Sequence, residues 1–197
     1  MPFCLRVLMI HCLCCGICLP LTGQDSGRDL EHGLALVTTV TDSVIFKSPD
    51  GNERQAELHA IESLSRLEVF SKKDDYLFLS LSNGSALGLY KNSHARFESY
   101  LQRPFNPDKE VLEYEPSLSK LVIRLSKGSI TFSAERLNPL SVILVNLPTG
   151  QVEIRNASGR IMYDDEVAQI AITSGIVAYN SPATEEPVFI NAPNQVR

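Results

Sequence analysis

From residue 34 onward, apolar and polar residues alternate in short runs divided by turn-forming clusters, the pattern of half-buried β-strands. Residues 34–46 are rich in side chains that pack well on a pleated surface, among them Val37, Thr38, Thr39, Val40, Val44 and Ile45. Ser48, Pro49, Asp50, Gly51 and Asn52 then form a dense turn signal, which predicts a hairpin about them. One window departs from this pattern. Leu58, Ile61, Leu64 and Leu67 recur at threes and predict a helical turn or two, closed by the strand-like Val69 and Phe70.

Four segments align on a glycine: LFLSLSNGSALGL on Gly84, LVIRLSKGSITFS on Gly128, VNLPTGQVEI on Gly150 and AQIAITSGIVAYN on Gly175. Three residues before each glycine stands an aliphatic, namely Leu81, Leu125, Leu147 and Ile172. Five before stand Leu79, Ile123, Val145 and Ile170, and two after stand Ala86, Ile130, Val152 and Val177. This spacing predicts strands with one apolar face that reverse at equivalent glycine turns. The glycines are 44, 22 and 25 residues apart, so a unit of about 22 residues fits, with one position taken by an insertion. The fold expected is all-β, built of repeated strand-turn-strand units forming a short β-solenoid or a twisted β-sandwich.

The insertion is residues 97–117, where Pro104, Pro107 and Pro116 exclude a central strand and predict a long excursion, with an edge strand at residues 109–115. Residues 181–197, with Pro182, Pro187 and Pro193, have little periodicity and are expected to form a tail. The polar residues 24–33 are expected to be frayed. The β domain is thus assigned to residues 34–180.

Residues 1–23 follow a different rule. One cation, Arg6, precedes an apolar run over residues 7–21 broken only by His11 and Gly16, with Thr22 and Gly23 after it. About 15 apolar residues match the core of a secretory signal and fall short of the roughly 20 that a spanning helix needs. Cleavage after Gly23 would leave a periplasmic or secreted chain without a membrane span. All five cysteines lie inside this run, so the mature chain would rely on its core and strand ladders rather than on disulfides. Loss of Arg6 takes the net charge from −5 to −6. An acidic chain is a poor partner for nucleic acid.

Over residues 34–179 the chain resembles the FecR domain of bacteria. The likeness is carried by LSNGSALGL, which is similar to the family's L-x-D-G-S unit, by YLQRPFNP, and by EYEPSLSKLVIRLSKGSITF followed by ERLNPLSVILVNLPTGQVEIRN. The family's Pro-x-Gly turn is matched by Pro148, Thr149 and Gly150, whereas its isoleucine-arginine-glycine is Ile154, Arg155, Asn156 here. The resemblance implies an all-β interaction module. FecR-type regulators add a membrane helix and an anti-sigma segment, and about six residues before the apolar run are too few for the latter, so a stand-alone envelope module without the relay is expected.

Enzymatic chemistry finds no support. Gly-x-Ser-x-Gly does not occur, and His32, His59 and His94 stand alone in sequence. Acid clusters at Asp74 and Asp75, at Glu113 and Glu115, and at Asp164, Asp165 and Glu166 are more economical as turn residues than as paired catalytic carboxylates or a calcium site. No cofactor is expected. Asn83 and Gly84 fit a type I′ hairpin turn, with both residues at positive φ. The function expected is therefore non-enzymatic binding of an envelope protein or polymer, with a carbohydrate-binding β domain as the alternative. The residues assigned to binding are Tyr100, Arg103, Phe105 and Tyr114, because aromatics and arginine within an excursion have the composition of interface hot spots.

N-terminal sequencing of the exported protein is expected to begin near Gln24. Recovery of intact Met1 from the membrane fraction would show the apolar run to be an anchor.

Overall fold

The computed structural model describes residues 30–104, 117–164 and 166–196. The expected signal, the edge strand at residues 109–115, Phe105 and Tyr114 lie outside the described residues. Every regular element among those described is a strand: β1 (Glu31–His32), β2 (Leu34–Val40), β3 (Ile45–Lys47), β4 (Glu53–Gln55), β5 (Ile61–Ser63), β6 (Glu68–Phe70), β7 (Tyr76–Leu81), β8 (Ala86–Gln102), β9 (Ser119–Ser133), β10 (Val142–Leu147), β11 (Gly150–Asp164), β12 (Val167–Asn180), β13 (Val188–Asn191) and β14 (Asn194–Val196). They form one open sheet in the order β13-β12-β11-β10-β9-β8-β6-β3-β4, with β1, β2, β5, β7 and β14 attached beside that path. Among the described residues no helix covers this sheet, yet residues such as Val37, Phe46, Leu89 and Ile123 are fully buried and belong to a single apolar cluster. The sheet therefore covers its own apolar face.

The hairpin about Asp50 and Gly51 is present, joining β3 to β4. The helical turns are not. Leu58 and Ile61 are exposed, whereas Leu64 and Leu67 are buried. The spacing of three has another cause: the Leu67 N–H donates to Leu64 O at 3.0 Å, and the Ala60 N–H donates to Glu57 O at 3.2 Å. The ends of a β-turn are also three positions apart, and here the third residue of each turn, Arg66 and His59, takes a positive φ that a helix does not allow.

Four long strands each change partners midway. β8 pairs with β7 through residues 86–90 and with β6 through residues 94–96. β9 runs parallel to β10 through residues 120–124 and antiparallel to β11 through residues 128–133. β11 pairs with β10 before Asn156 and with β9 after Ala157, and β12 pairs with β14 before Thr173 and with β13 after Gly175. In β9, β11 and β12 the parity of burial flips at the change: Ile123 and Leu125 are buried before Gly128, Ile130 and Phe132 after it, and likewise Ile170 and Ile172 before Gly175, Val177 after it, whereas in β8 it is kept, Leu87 and Leu89 being followed by Ala95 and Phe97. One extra residue at a bulge restores the inward direction of the side chains after the strand has bent.

This corrects the expectation of four equivalent turns. Gly84 and Gly150 lie at hairpins, while Gly128 and Gly175 lie inside β9 and β12. The two sets look alike in sequence because a bend and a reversal both need positive φ, here 95° at Gly128 and 76° at Gly175. The inward face is as expected, since Leu81, Leu125, Leu147 and Ile172 are all buried. Ala86 is the exception among the positions two after glycine and faces outward. At the first hairpin Gly84 takes positive φ and Asn83 does not, so the turn is not type I′. Its three-residue loop is closed by the Leu81 N–H donating to Ser85 O at 2.8 Å.

The margins also differ from expectation. β1 pairs with β8 inside the stretch expected to fray. The expected tail is in part sheet, β13 and β14 both pairing with β12. The excursion starts later than residue 97, because β8 continues to Gln102 with Phe97 and Tyr100 in the core. A bulge between Phe97 and Ser99 breaks the alternation there, which is why this stretch does not look like a strand in sequence.

Replacing Leu125 by Ala is expected to cost about 2–5 kcal/mol, since the side chain is fully enclosed. Gly175→Ala is expected to cost about 1–3 kcal/mol for a different reason: its Cβ would meet Asn156 O and the backbone conformation resists any side chain. Denaturant titration of the two variants checks both values.

Candidate interaction surfaces

The excursion leaves the sheet at the end of β8 and returns at the start of β9. Its base is stapled by the Arg103 N–H donating to Leu118 O at 2.8 Å, beyond the Gln102 and Ser119 pair. Next to this pair lies a buried polar network. The Asn83 N–H donates to Tyr100 Oη at 3.0 Å, and Tyr100 Oη also lies 3.2 Å from Ser82 Oγ. Asn83 Nδ2 donates to Ser119 Oγ at 3.0 Å, the Ser119 N–H donates to Ser141 Oγ at 2.8 Å, and Gln102 Nε2 donates to Ser82 O at 3.0 Å. Such groups are costly to bury unless bonded, and here their bonds tie the β7–β8 turn to the excursion's base.

Of the residues assigned to binding, Tyr100 is fully buried, with its ring against Gly33, and belongs to this network rather than to a surface. Arg103 is exposed and borders a small cleft with Glu31, His32, Leu34, Ser82 and Pro104. The structure thus separates Tyr100 from Arg103, and Phe105 and Tyr114 lie outside the described residues.

The acids and histidines are dispersed, and among the described residues no three His, Cys, Asp or Glu side chains come together as a metal site. Asp75 is buried beneath two turns, with Oδ1 accepting from Thr41 Oγ1 at 2.9 Å and Ser43 Oγ at 2.6 Å and Oδ2 accepting from the Lys72 N–H at 2.6 Å. Burial opposes its charge, but those three donors and the Lys72 cation together hold its carboxyl below the usual value. Glu62, also buried, forms a two-pronged pair with Arg54. The Glu62 hydrogen bond raises the Arg54 pKa against the effect of burial, and the guanidinium lies 5.2 Å above the centre of the Phe46 ring. Asp164 pairs with Lys127 at 3.6 Å. His32 Nδ1 meets Ser65 Oγ at 2.9 Å, and His94 stacks on Phe70. Asp75, Glu62, Asp164, His32 and His94 thus each have a structural partner.

Two surfaces were not evident in the sequence. One is the edge formed by β13, where Val188 and Phe189 are exposed beside the exposed Ile176 of β12. The run VFIN between two prolines was the available signal. The other is the outer face of β7 and β8, where Tyr76, Phe78 and Tyr90 stand together, Phe78 edge-on to Tyr90 at 5.3 Å. Strand register, which spacing alone does not supply, is what unites these three rings.

Two solved structures resemble this chain path. They are crystal structures, at 1.65 and 2.50 Å resolution, of a "putative anti-sigma factor" from Parabacteroides distasonis ATCC 8503, with TM-scores of 0.47 and 0.48 and identities of 15% and 14%. In each case the match covers 65% of this chain and 52% of the other, so the chain corresponds to about half the length of those proteins. No family model and no curated protein matches the sequence.

Because the folded Asp75 pKa is lowered from 3.8, its contribution is fully present above that value and is lost as pH falls through the lower folded one. Wild type is therefore expected to melt above Asp75→Asn at neutral pH, and thermal scans on acidification below about pH 3.8 should show the gap closing.

Proposed function

We propose that the protein is a non-enzymatic, FecR-like interaction module of the bacterial envelope, periplasmic or secreted, that captures an extended segment of another envelope protein along β13. The proposal assigns it capture, and no relay to a sigma factor. The observation that carries this reading is the contrast between the two ends of the sheet. At one end β4 is Glu53, Arg54 and Gln55, all exposed, and charge discourages another strand from pairing there. At the other, β13 has one strand partner among the described residues, contains no charged residue, and exposes Phe189 over 67% of its surface. An uncharged, unpaired ladder offers main-chain hydrogen bonds for affinity and apolar side chains for selectivity, as in partner recognition by strand addition. Export is supported by the apolar run over residues 7–21.

Photoreactive side chains placed in turn at positions 189, 54 and 103 test this in producing cells. A protein adduct of defined mass at 189 and none at 54 is expected, and Phe189→Lys should remove capture while changing stability by no more than about 0.5 kcal/mol. Adducts confined to 103 would move the partner to the base of the excursion and overturn the edge reading.

A further inference from the structure

The outward face of β7, β8, β9 and β11 is built by register. Tyr76 is paired with Tyr90, Phe78 with Gly88, Gly88 with Thr131, and Thr131 with Arg160. Gly88 has no side chain to fill the space between its neighbours, and Phe78 and Thr131 lean over it: a Cβ there would lie 2.8 Å from the Phe78 ring and 2.5 Å from Thr131 Oγ1. What remains beside them is a shallow, mostly apolar hollow of about 450 Å³, open to solvent and rimmed by Ser80, Ala86 and Ser133.

Arg160 overlooks this face and has two contacts there. Its Nε donates to Ser129 Oγ at 2.7 Å, and its guanidinium carbon lies 6.0 Å from the centre of the Tyr90 ring. Ser129 is itself buried, so the bond ties the guanidinium to the sheet at Nε. Arg160 is exposed, and among the described residues no carboxylate pairs with it. In a chain of net charge −5, the rows through Tyr90, Gly88 and Ala86 hold no acid, and Arg160 is their sole charge. A guanidinium held through Nε and its flat face still has its terminal N–H groups to offer a carboxylate.

We propose that this face binds an acidic polysaccharide made of uronate sugars. The aromatic rings and the hollow take the apolar face of a pyranose, the rim hydroxyls bond its hydroxyls, and Arg160 pairs with the ring carboxylate. Strands lie about 4.8 Å apart, close to the length of one hexose, so successive sugars of an extended chain meet successive strands. The face excludes β13, so the polysaccharide site stands apart from the edge proposed for protein capture.

Calorimetric titration of the full chain with oligogalacturonate tests the proposal, with the same oligomer after reduction of its carboxyl groups and a short peptide with a free C-terminal carboxylate as comparisons. Saturable binding of oligogalacturonate is expected, about tenfold weaker for the reduced oligomer and for Arg160→Gln, as for loss of one charged hydrogen-bonded pair. Ala86→Glu, at an exposed position on the rim, should abolish binding with the melting temperature unchanged. Absence of binding at millimolar oligogalacturonate, binding that survives both substitutions, or equal binding of the peptide would each overturn the proposal.

Discussion

The structure depends on the ability of its long strands to bend without turning their apolar faces outward. A sheet that must enclose its own core cannot stay flat, and in this chain the bend is made inside β8, β9, β11 and β12 rather than in loops between shorter strands. Gly128 and Gly175 supply the backbone conformation, and each abuts the break in the adjacent strand, Ser93 and Asn156 respectively. Bends in neighbouring strands are thereby aligned, and the inserted residue at each bulge keeps aliphatics directed inward on both sides. The hydrogen-bond ladder, the core and the exposed faces all follow from that alignment.

Much of this was legible because burial of one sheet face imposes a period of two on the sequence. The β-branched opening, the Asp50–Gly51 hairpin and the inward Leu81, Leu125, Leu147 and Ile172 all follow from it. What escaped was whatever alternation does not encode. A positive-φ glycine signals a change of direction without saying whether the chain reverses or only bends. The leucines from 58 to 67 recur at threes, which β-turns and helical turns share. Tyr100 was read as part of an excursion because a bulge two residues earlier had shifted its phase, and its burial under the β7–β8 turn depends on a partner 17 residues away.

The candidate surfaces were less legible still. Arg103 was found from composition, and it is exposed at the base of the excursion. Arg160 and Tyr90, by contrast, lie 70 residues apart, and only the intervening β9 brings them onto one face. The sequence contains both residues but not the register that relates them.

The unlike ends of the sheet have a consequence for self-association. Growth of a filament by strand addition needs two complementary ends, so that each added copy presents a fresh site to the next. Here, between the two ends of the main path, the apolar β13 of one molecule meets the charged β4 of another in that head-to-tail mode. Two β13 edges can meet each other, but such a pairing is closed by symmetry and leaves charged termini on both sides. Between the two ends of the main path, an encounter through β13 therefore ends after a single addition.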